Sequence, residues 1–439
     1  QVVKTGLKYF GTVSLVFNYA NSIINTGTGS ISNLIEAIGG DVYNLRDYKR
    51  AQVLYNSDLK GIMGDMGSNV QKSTTNLLIN NFNVFGPDHL SNNFEEGTRV
   101  EALAKMNSLR PLAQAGEHMM QSKVMYAILS SIKSQNAKGQ WIDTNGNVVT
   151  SKSSAASLVD MITFKENASG GKTMVLHESV QNTSFTTGGG QEAILNETRN
   201  LIRSKVDELH GQYTSDIQAH AQRYMIGKMG FFLRKWMLPG YIRRFRGIKN
   251  TFKPADAELA EADEFYSHDQ KENLEGYYIA ATRFLSKIIN DTRRDGFNVV
   301  KSWKELSSKQ KAGVRKTMAD VGFMVLAIVA YNLLAGDGDL DDDEVFLAYL
   351  LRRQQSELTF FANPVEAFKI AQTPTAAVGN LKNIVKTLNY VYPGNWGEKY
   401  ESGPYSGDLK IYHMGKKLLP RFKNQEDFKQ ALDFLNSSR

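Results

Sequence analysis

The chain contains 439 residues, which is enough for about two or three domains or for one elongated helical assembly. Its 41% hydrophobic content argues against wholesale disorder, and its formal net charge of +7 permits contact with nucleic acid or anionic lipid without requiring it. The absence of cysteine excludes disulfides, thiolate catalysis and cysteine-ligated metal centres. Because the chain begins with Gln1 rather than Met, we expect it to be a processed product or part of a longer protein.

Residues 1–136 are predicted to be an N-terminal helical region. The spacing of apolar residues predicts helices over Leu7 to Ile24, Ser30 to Ile38 and Leu45 to Met63, with "TGTGS" and a Gly pair separating them. A longer helical pattern follows over 98–135, where apolar residues recur mostly three and four positions apart.

Residues 137–190 change to a β pattern. Asn145-Gly146 lies between two β-prone runs in "QWIDTNGNVVT", and this dipeptide is typical of a tight hairpin turn. The segment "MITFKENASGGKTMVLHESV" repeats the pattern with a longer turn, and "TTGGG" (Thr186 to Gly190) is expected to act as a hinge. We therefore predict a mainly α, elongated multi-helix assembly with a small β-hairpin insertion at about 137–190.

Residues 191–250 are predicted to form a long helix that leads into a basic, aromatic segment. The helix has a seam of coiled-coil type, which consists of Leu195, Ile202, Val206, Leu209, Tyr213, Ile217 and Tyr224. The segment that follows is "KMGFFLRKWMLPGYIRRFRGIKN", which combines aromatic and basic residues with no acid. We expect Pro239-Gly240 to end the helix and to divide this segment into two arms.

Residues 251–392 are predicted to be a C-terminal helical region, and residues 393–439 an irregular tail with a terminal helix. A helix capped by Ser307 or Ser308 should carry the longest apolar run, 321–336. A spanning helix needs about 20 apolar residues, and this run is shorter. We therefore expect a buried core helix, with a helix that enters a membrane after refolding as the alternative.

No catalytic, cofactor or metal motif is present in the sequence. The seven histidines form no HExxH pair, and the chain has no GxSxG, P-loop or GxGxxG pattern. Glu117-His118 is interpreted as a solvated or hydrogen-bonded pair. In an EF-hand register that begins at Asp337, Asp342 replaces the required Gly and Ala348 replaces the bidentate Glu. We predict a non-enzymatic protein without catalytic residues, cofactor or metal.

The basic, aromatic segment has three interpretations. It is a packed helix whose arginines pair with the acidic block that follows, a helix on a membrane surface, or an aromatic and basic contact with nucleic acid. Packing is the favoured interpretation. The candidate residues for binding nucleic acid or a partner are Arg234, Lys235, Trp236, Tyr241, Arg243, Arg244 and Arg246.

Segments spread over about residues 30 to 425 resemble large virion-associated proteins of crAss-like bacteriophages. The similar segments are "SNLIEAIGGDVYNLRDYKRAQVLY", "AQRYMIGKMGFFLRKWMLPGYIRRF" and "LAYLLRRQQSELTFFANPVEAFKIAQTPTAAVGNL" followed by "YESGPYSGDLK". The resemblance implies the C-terminal portion of a cargo or internal virion protein, which is packaged in the capsid or tail and ejected into the bacterium with the genome.

The resemblance also implies the partners and the location of the chain. Its expected partners are other virion proteins such as portal, tail or ring proteins, in multiple copies, with phage DNA and the host membrane as further partners during ejection. The expected location is the virion interior, and the host cell after ejection. The alternative function is a membrane-active ejection factor that forms a conduit through the host envelope.

Overall fold

The structure is a computed structural model. It describes residues 19–65, 73–84, 111–166, 172–211, 237–246, 275–295, 298–335, 342–360, 398–402 and 406–410. Over these ranges the protein is mainly helical with a small antiparallel β portion, which confirms the predicted fold class.

Two of the described helices each contact several others. The helices are α1 (Tyr19–Gly39), α2 (Leu45–Ser57), α3 (Leu59–Asp65), α4 (Thr74–Phe82), α5 (Pro111–Ser131), α6 (Gly190–His210), α7 (Met237–Phe245), α8 (Tyr277–Asp295), α9 (Val299–Lys304), α10 (Ser308–Ala335) and α11 (Asp342–Thr359). Helix α5 contacts α1, α2, α4 and α6, whereas α1 also contacts α10 and α11. Helix α1 therefore joins the N-terminal helices to the C-terminal ones.

The main hydrophobic core surrounds α5. Six consecutive residues of this helix, Val124 to Leu129, are at most 2% exposed, so the helix is covered on every side. The core also contains Ala37 from α1, Tyr48 from α2, Phe82 from α4 and Ile202 from α6.

The predicted break at "TGTGS" is wrong, because α1 continues through it from Tyr19 to Gly39. The glycines of this stretch serve the packing of α1 against other helices. A Cβ at Gly29 would overlap Met120 Sδ of α5, and a Cβ at Gly27 would lie 2.8 Å from Gln354 Oε1 of α11. Glycines therefore occupy the positions where α5 and α11 approach α1 closely.

The single helix predicted over Leu45 to Met63 is two helices, α2 and α3, which meet at Asp58. The Asn44 side chain caps the start of α2, where it accepts from the backbone N–H of Asp47 at 3.2 Å. The Asp58 carboxylate accepts bonds of 2.7 Å from Ser73 Oγ, Thr75 N and Thr75 Oγ1, so a tertiary contact ends α2.

The β portion consists of short antiparallel pairs, and the longer of the two predicted turns, at 167–171, lies outside the described residues. Strands β2 (Ile162–Glu166) and β3 (Lys172–Leu176) pair antiparallel, and β1 (Ser134–Gln135) pairs antiparallel with β4 (Asn182–Thr183). The Asn145-Gly146 turn joins residues that form an isolated antiparallel bridge, and Gly146 has a φ of 83° there. The turn is therefore confirmed, although it joins short extended segments rather than full strands.

The C-terminal elements confirm several local predictions. Ile202, Val206 and Leu209 of the predicted seam are buried on α6, but α6 ends at His210, where Gly211 has a φ of 95°, so the prediction that the helix continues past this point is wrong. The rest of the seam lies outside the described residues. Ser307 caps α10, because its Oγ accepts from Gln310 N at 3.2 Å. A second, smaller core forms where α10 meets α11 and α1.

Candidate interaction site

Helix α7 contains the described part of the basic, aromatic segment. It spans Met237–Phe245 and contacts α6 and α8. Pro239 and Gly240 lie within it, so the prediction that this pair ends the helix is wrong.

Arg244 of α7 is buried in a cluster that we name the Asp320 cluster, which consists of Asp320, Arg244, Tyr277 and Tyr278. Arg244 is 4% exposed and Asp320 is 0% exposed. Arg244 donates from Nε to Asp320 Oδ2 at 2.9 Å and from Nη2 to Asp320 Oδ1 at 3.2 Å. This two-point contact is the strong, directional form of an arginine–carboxylate pair.

The two tyrosines complete the coordination of the buried carboxylate. Tyr277 and Tyr278 donate their hydroxyl protons to Asp320 Oδ2 at 2.6 and 3.0 Å. The Arg244 guanidinium also lies 5.5 Å from the centroid of the Tyr277 ring, and its Nη1 donates to the Gly240 carbonyl at 3.1 Å. The cluster joins α7, α8 and α10, so it holds the C-terminal helices in one arrangement.

A second ionic group, the Glu36 cluster, consists of Glu36, Lys205 and Lys316. Lys316 Nζ lies 2.9 Å from Glu36 Oε1, and Lys205 Nζ lies 3.3 Å from the same atom. Burial raises the pKa of Glu36, but the attraction of the two lysines outweighs it and lowers that pKa to about 2. The cluster joins α1, α6 and α10.

Arg243 is half-buried and lies near the Glu36 cluster. Its Nη2 donates to Ser32 Oγ of α1 at 3.4 Å, and its charge contributes to the low pKa of Glu36. The two consecutive arginines of α7 therefore face two different buried carboxylates. Paired buried charges are costly to separate, because removal of one partner leaves the other uncompensated.

The structure distributes the predicted binding residues unevenly. Tyr241 is 57% exposed, whereas Arg243 and Arg246 are half-buried and Arg244 is buried. The three remaining candidates, Arg234, Lys235 and Trp236, lie outside the described residues. Arg244 is thus held by an internal acid, Asp320, in keeping with the packing interpretation, and the acidic block at 253–270 lies outside the described residues.

Sequence reasoning missed both buried carboxylates. Glu36 stands alone among apolar residues in "NLIEAIGG", and Asp320 immediately precedes the longest apolar run. An isolated acid within an apolar pattern indicates a buried charge that needs a partner. The sequence contains that signal, but it does not identify the partners, which lie 76 and 280 positions away.

An exposed apolar surface lies along α10 from Met318 to Leu333, and we name it the α10 stripe. Its residues and their exposed fractions are Met318 70%, Val321 47%, Val325 51%, Leu326 62%, Val329 46% and Leu333 74%. Their spacing places them on one face of the helix. The opposite face carries Met324 and Ala327, which are buried in the smaller core.

The prediction that the apolar run forms a buried core helix is therefore wrong for one of its faces. A helix that is apolar all round is normally covered on all sides. A contiguous exposed apolar face marks a surface that binds a partner. No helix among the described residues has the length and hydrophobicity needed to cross a membrane.

His118, which the sequence singled out, lies in a hydrogen-bonded polar group. Its Nδ1 lies 3.2 Å from the Tyr55 hydroxyl, and its Nε2 lies 2.9 Å from Asn76 Oδ1. Burial lowers the pKa of His118, which favours the neutral ring. Within the part of the chain that the structure describes, no three His, Asp or Glu side chains lie together as metal ligands would.

Comparison with known proteins finds no matching family model, no similar curated protein and no similar solved structure.

Proposed function

We propose that this chain is a non-enzymatic virion protein of a bacteriophage, packaged as cargo inside the capsid or tail and ejected with the genome. The α10 stripe is the observation that carries the proposal. The stripe consists of six large apolar side chains that are each at least 46% exposed on one helix face. Such a face is unfavourable in water and is stabilised when another protein covers it.

The buried ionic clusters support a role in assembly. They fix α10 against α1, α6, α7 and α8 through bonds that buried acids make with several donors. The α10 stripe is therefore presented on a helix whose orientation is set by the rest of the protein. A preorganised surface binds with a smaller entropy cost than a flexible one.

The partners that fit this surface are other virion proteins, such as portal, tail or ring proteins, or further copies of the chain. The resemblance to virion-associated proteins of crAss-like phages favours this class over other assemblies. The protein then resides in the particle interior before infection and in the host cell afterwards.

Analysis of purified virions tests this proposal. The particles should contain the polypeptide, and the polypeptide should resist protease until the capsid is opened. Detection in infected cells but never in particles would contradict the proposal.

A pair of substitutions tests the role of the α10 stripe. Val325→Ser with Val329→Ser should reduce incorporation into virions while the purified variant keeps the parent's helical circular dichroism. Met63→Ser with Val148→Ser is the matched control, because these residues are 70% and 55% exposed on other elements. Normal incorporation of the first variant would show that the α10 stripe is not the contact.

A membrane-active ejection factor is the second candidate, and the same stripe favours it. From Met318 to Leu333 a helix extends about 23 Å, which is less than the roughly 30 Å hydrocarbon core of a bilayer. The stripe would therefore lie along a membrane surface rather than cross it. Flotation with anionic liposomes tests this role: co-flotation that Val325→Ser with Val329→Ser abolishes would favour it over protein packing.

A further inference from the structure

A cavity of about 520 Å³ lies where the start of α2 meets the end of α5 and the loop before β2. Its size is within the range of pockets that hold small-molecule ligands. Four basic side chains line it: Arg46, Lys49 and Arg50 come from α2, and Lys133 follows α5. The cavity lies apart from α7 and α10 and has no part in the proposed assembly contact.

The positive charge of this cavity is only partly neutralised by nearby acids. Arg50 forms a salt bridge with Asp160, and the Asp47 carboxylate accepts from the Asn44 backbone N–H at 3.1 Å. Among the described residues, Arg46 and Lys49 have no carboxylate within salt-bridge distance. Two cations are therefore available to an anion that enters the cavity.

Lys133 is held in the cavity wall by neutral groups. Its Nζ donates to Ser157 Oγ at 2.8 Å, and Arg50 Nη1 donates to the same oxygen at 3.1 Å. Burial lowers the pKa of Lys133, because the bound hydroxyl does not compensate for the water that the ammonium group loses. Asp47 and Asp160 offset this effect only in part, so an anion beside Lys133 would further stabilise its charged form.

Ser130 provides an independent observation. The residue is 1% exposed and lies in the cavity wall, and its Oγ has no hydrogen-bond partner. A buried hydroxyl without a partner is uncommon in folded proteins. A serine in a helix usually donates to a backbone carbonyl one turn earlier, so Ser130 is a polar group of the cavity wall whose hydroxyl is left unsatisfied within the protein.

We propose that this cavity binds the phosphate group of a nucleotide-sized ligand. Phosphate oxygens are strong acceptors, and they match three kinds of donor among the lining residues: the Ser130 hydroxyl, the Lys133 ammonium and the guanidinium of Arg46. A free nucleotide and the backbone of a nucleic acid present the same chemical group. The remaining volume of the cavity holds the part of the ligand attached to the phosphate.

Calorimetric titration of the full chain with inorganic phosphate, pyrophosphate and AMP tests this proposal. Arg46→Gln with Lys49→Gln should weaken binding of pyrophosphate and AMP by about tenfold or more, because two charge-assisted hydrogen bonds are lost. Lys60→Gln with Lys138→Gln is the matched control, since it removes the same charge from exposed positions outside the cavity and should leave affinity within about twofold.

Ser130→Ala separates a specific site from a general electrostatic effect. Alanine suits a helix and leaves the net charge unchanged, so the variant should fold and yet bind about threefold or more weakly. Absence of binding by all three ligands at millimolar concentration would overturn the proposal. Equal weakening by the two double variants, or unchanged affinity in Ser130→Ala, would overturn it as well.

A short single-stranded DNA distinguishes the two sources of the phosphate. If the natural ligand is a free nucleotide, AMP should bind at least as tightly as the oligonucleotide. If it is a nucleic-acid backbone, the oligonucleotide should bind more tightly, and its affinity should fall steeply with salt. Either result supports a phosphate site, provided that Arg46→Gln with Lys49→Gln weakens the binding.

Discussion

Removal of the Arg244 side chain should destabilise the protein more than any surface substitution. Arg244→Met keeps much of the side-chain volume but leaves the Asp320 carboxylate, which is 0% exposed, without its cation. Two of the four bonds to that carboxylate come from Arg244, at 2.9 and 3.2 Å. Breaking a buried pair by removing one partner typically costs about 3–5 kcal/mol, and we expect a loss in that range.

Urea denaturation followed by circular dichroism measures this loss. Arg294→Met is the matched control, because Arg294 is exposed on α8, and it should change the free energy of unfolding by less than about 0.5 kcal/mol. The same chemical change is thereby made with and without a buried partner.

A double-mutant cycle tests whether the lost stability comes from the interaction between Arg244 and Asp320. Asp320→Asn keeps an acceptor for the hydroxyls of Tyr277 and Tyr278 but removes the buried charge. Arg244→Met combined with Asp320→Asn should therefore cost less than the sum of the single changes, by about 1–3 kcal/mol. A free energy of unfolding for Arg244→Met within about 1 kcal/mol of the parent would refute this reasoning.

Three further predictions concern other buried positions. The pKa of Glu36 is lowered from 4.5 to about 2, so its stabilising effect is present above pH 4.5 and is lost as the pH falls through about 2. Glu36→Gln should therefore be less stable than the parent at pH 7, and chemical denaturation should show the difference shrinking between pH 4.5 and 2. Burial raises the pKa of Asp207 from 3.8 to about 6, so ionisation opposes folding increasingly as the pH rises through 6. Asp207→Asn should raise the free energy of unfolding at pH 8 by about 1–3 kcal/mol and leave it nearly unchanged below pH 4; an equal gain at both pH values would contradict this. Gly29→Ala should destabilise by about 1–3 kcal/mol because its Cβ would overlap Met120 Sδ, whereas Gly322→Ala, whose Cβ meets nothing within 4 Å, should stabilise by about 0.5–1 kcal/mol in thermal unfolding.

Several elements of the fold could be predicted from the sequence because local signals specify them. The buried residues of α6 follow from the spacing of apolar residues, which needs no knowledge of the partner element. The Asn145-Gly146 turn and the Ser307 cap depend on interactions within a few residues. The local sequence around each of these features is therefore enough to specify it.

Glycines show where local reasoning failed. "TGTGS" was expected to separate two helices because glycine lowers helix propensity. The structure continues α1 through it, since Gly27 and Gly29 allow α11 and α5 to approach closely. Whether a glycine ends a helix or admits a neighbour depends on residues far away in the chain.

The candidate interaction site also depends partly on local sequence and partly on tertiary contacts. The sequence by itself determined that the segment before residue 250 is basic and aromatic, and that an apolar run follows Asp320. Only the tertiary structure decided that Arg244 meets Asp320 inside the protein, and that one face of the apolar run stays exposed. The physical reason is that composition and periodicity record the character of each face, whereas the pairing of faces depends on which helices meet across long sequence separations.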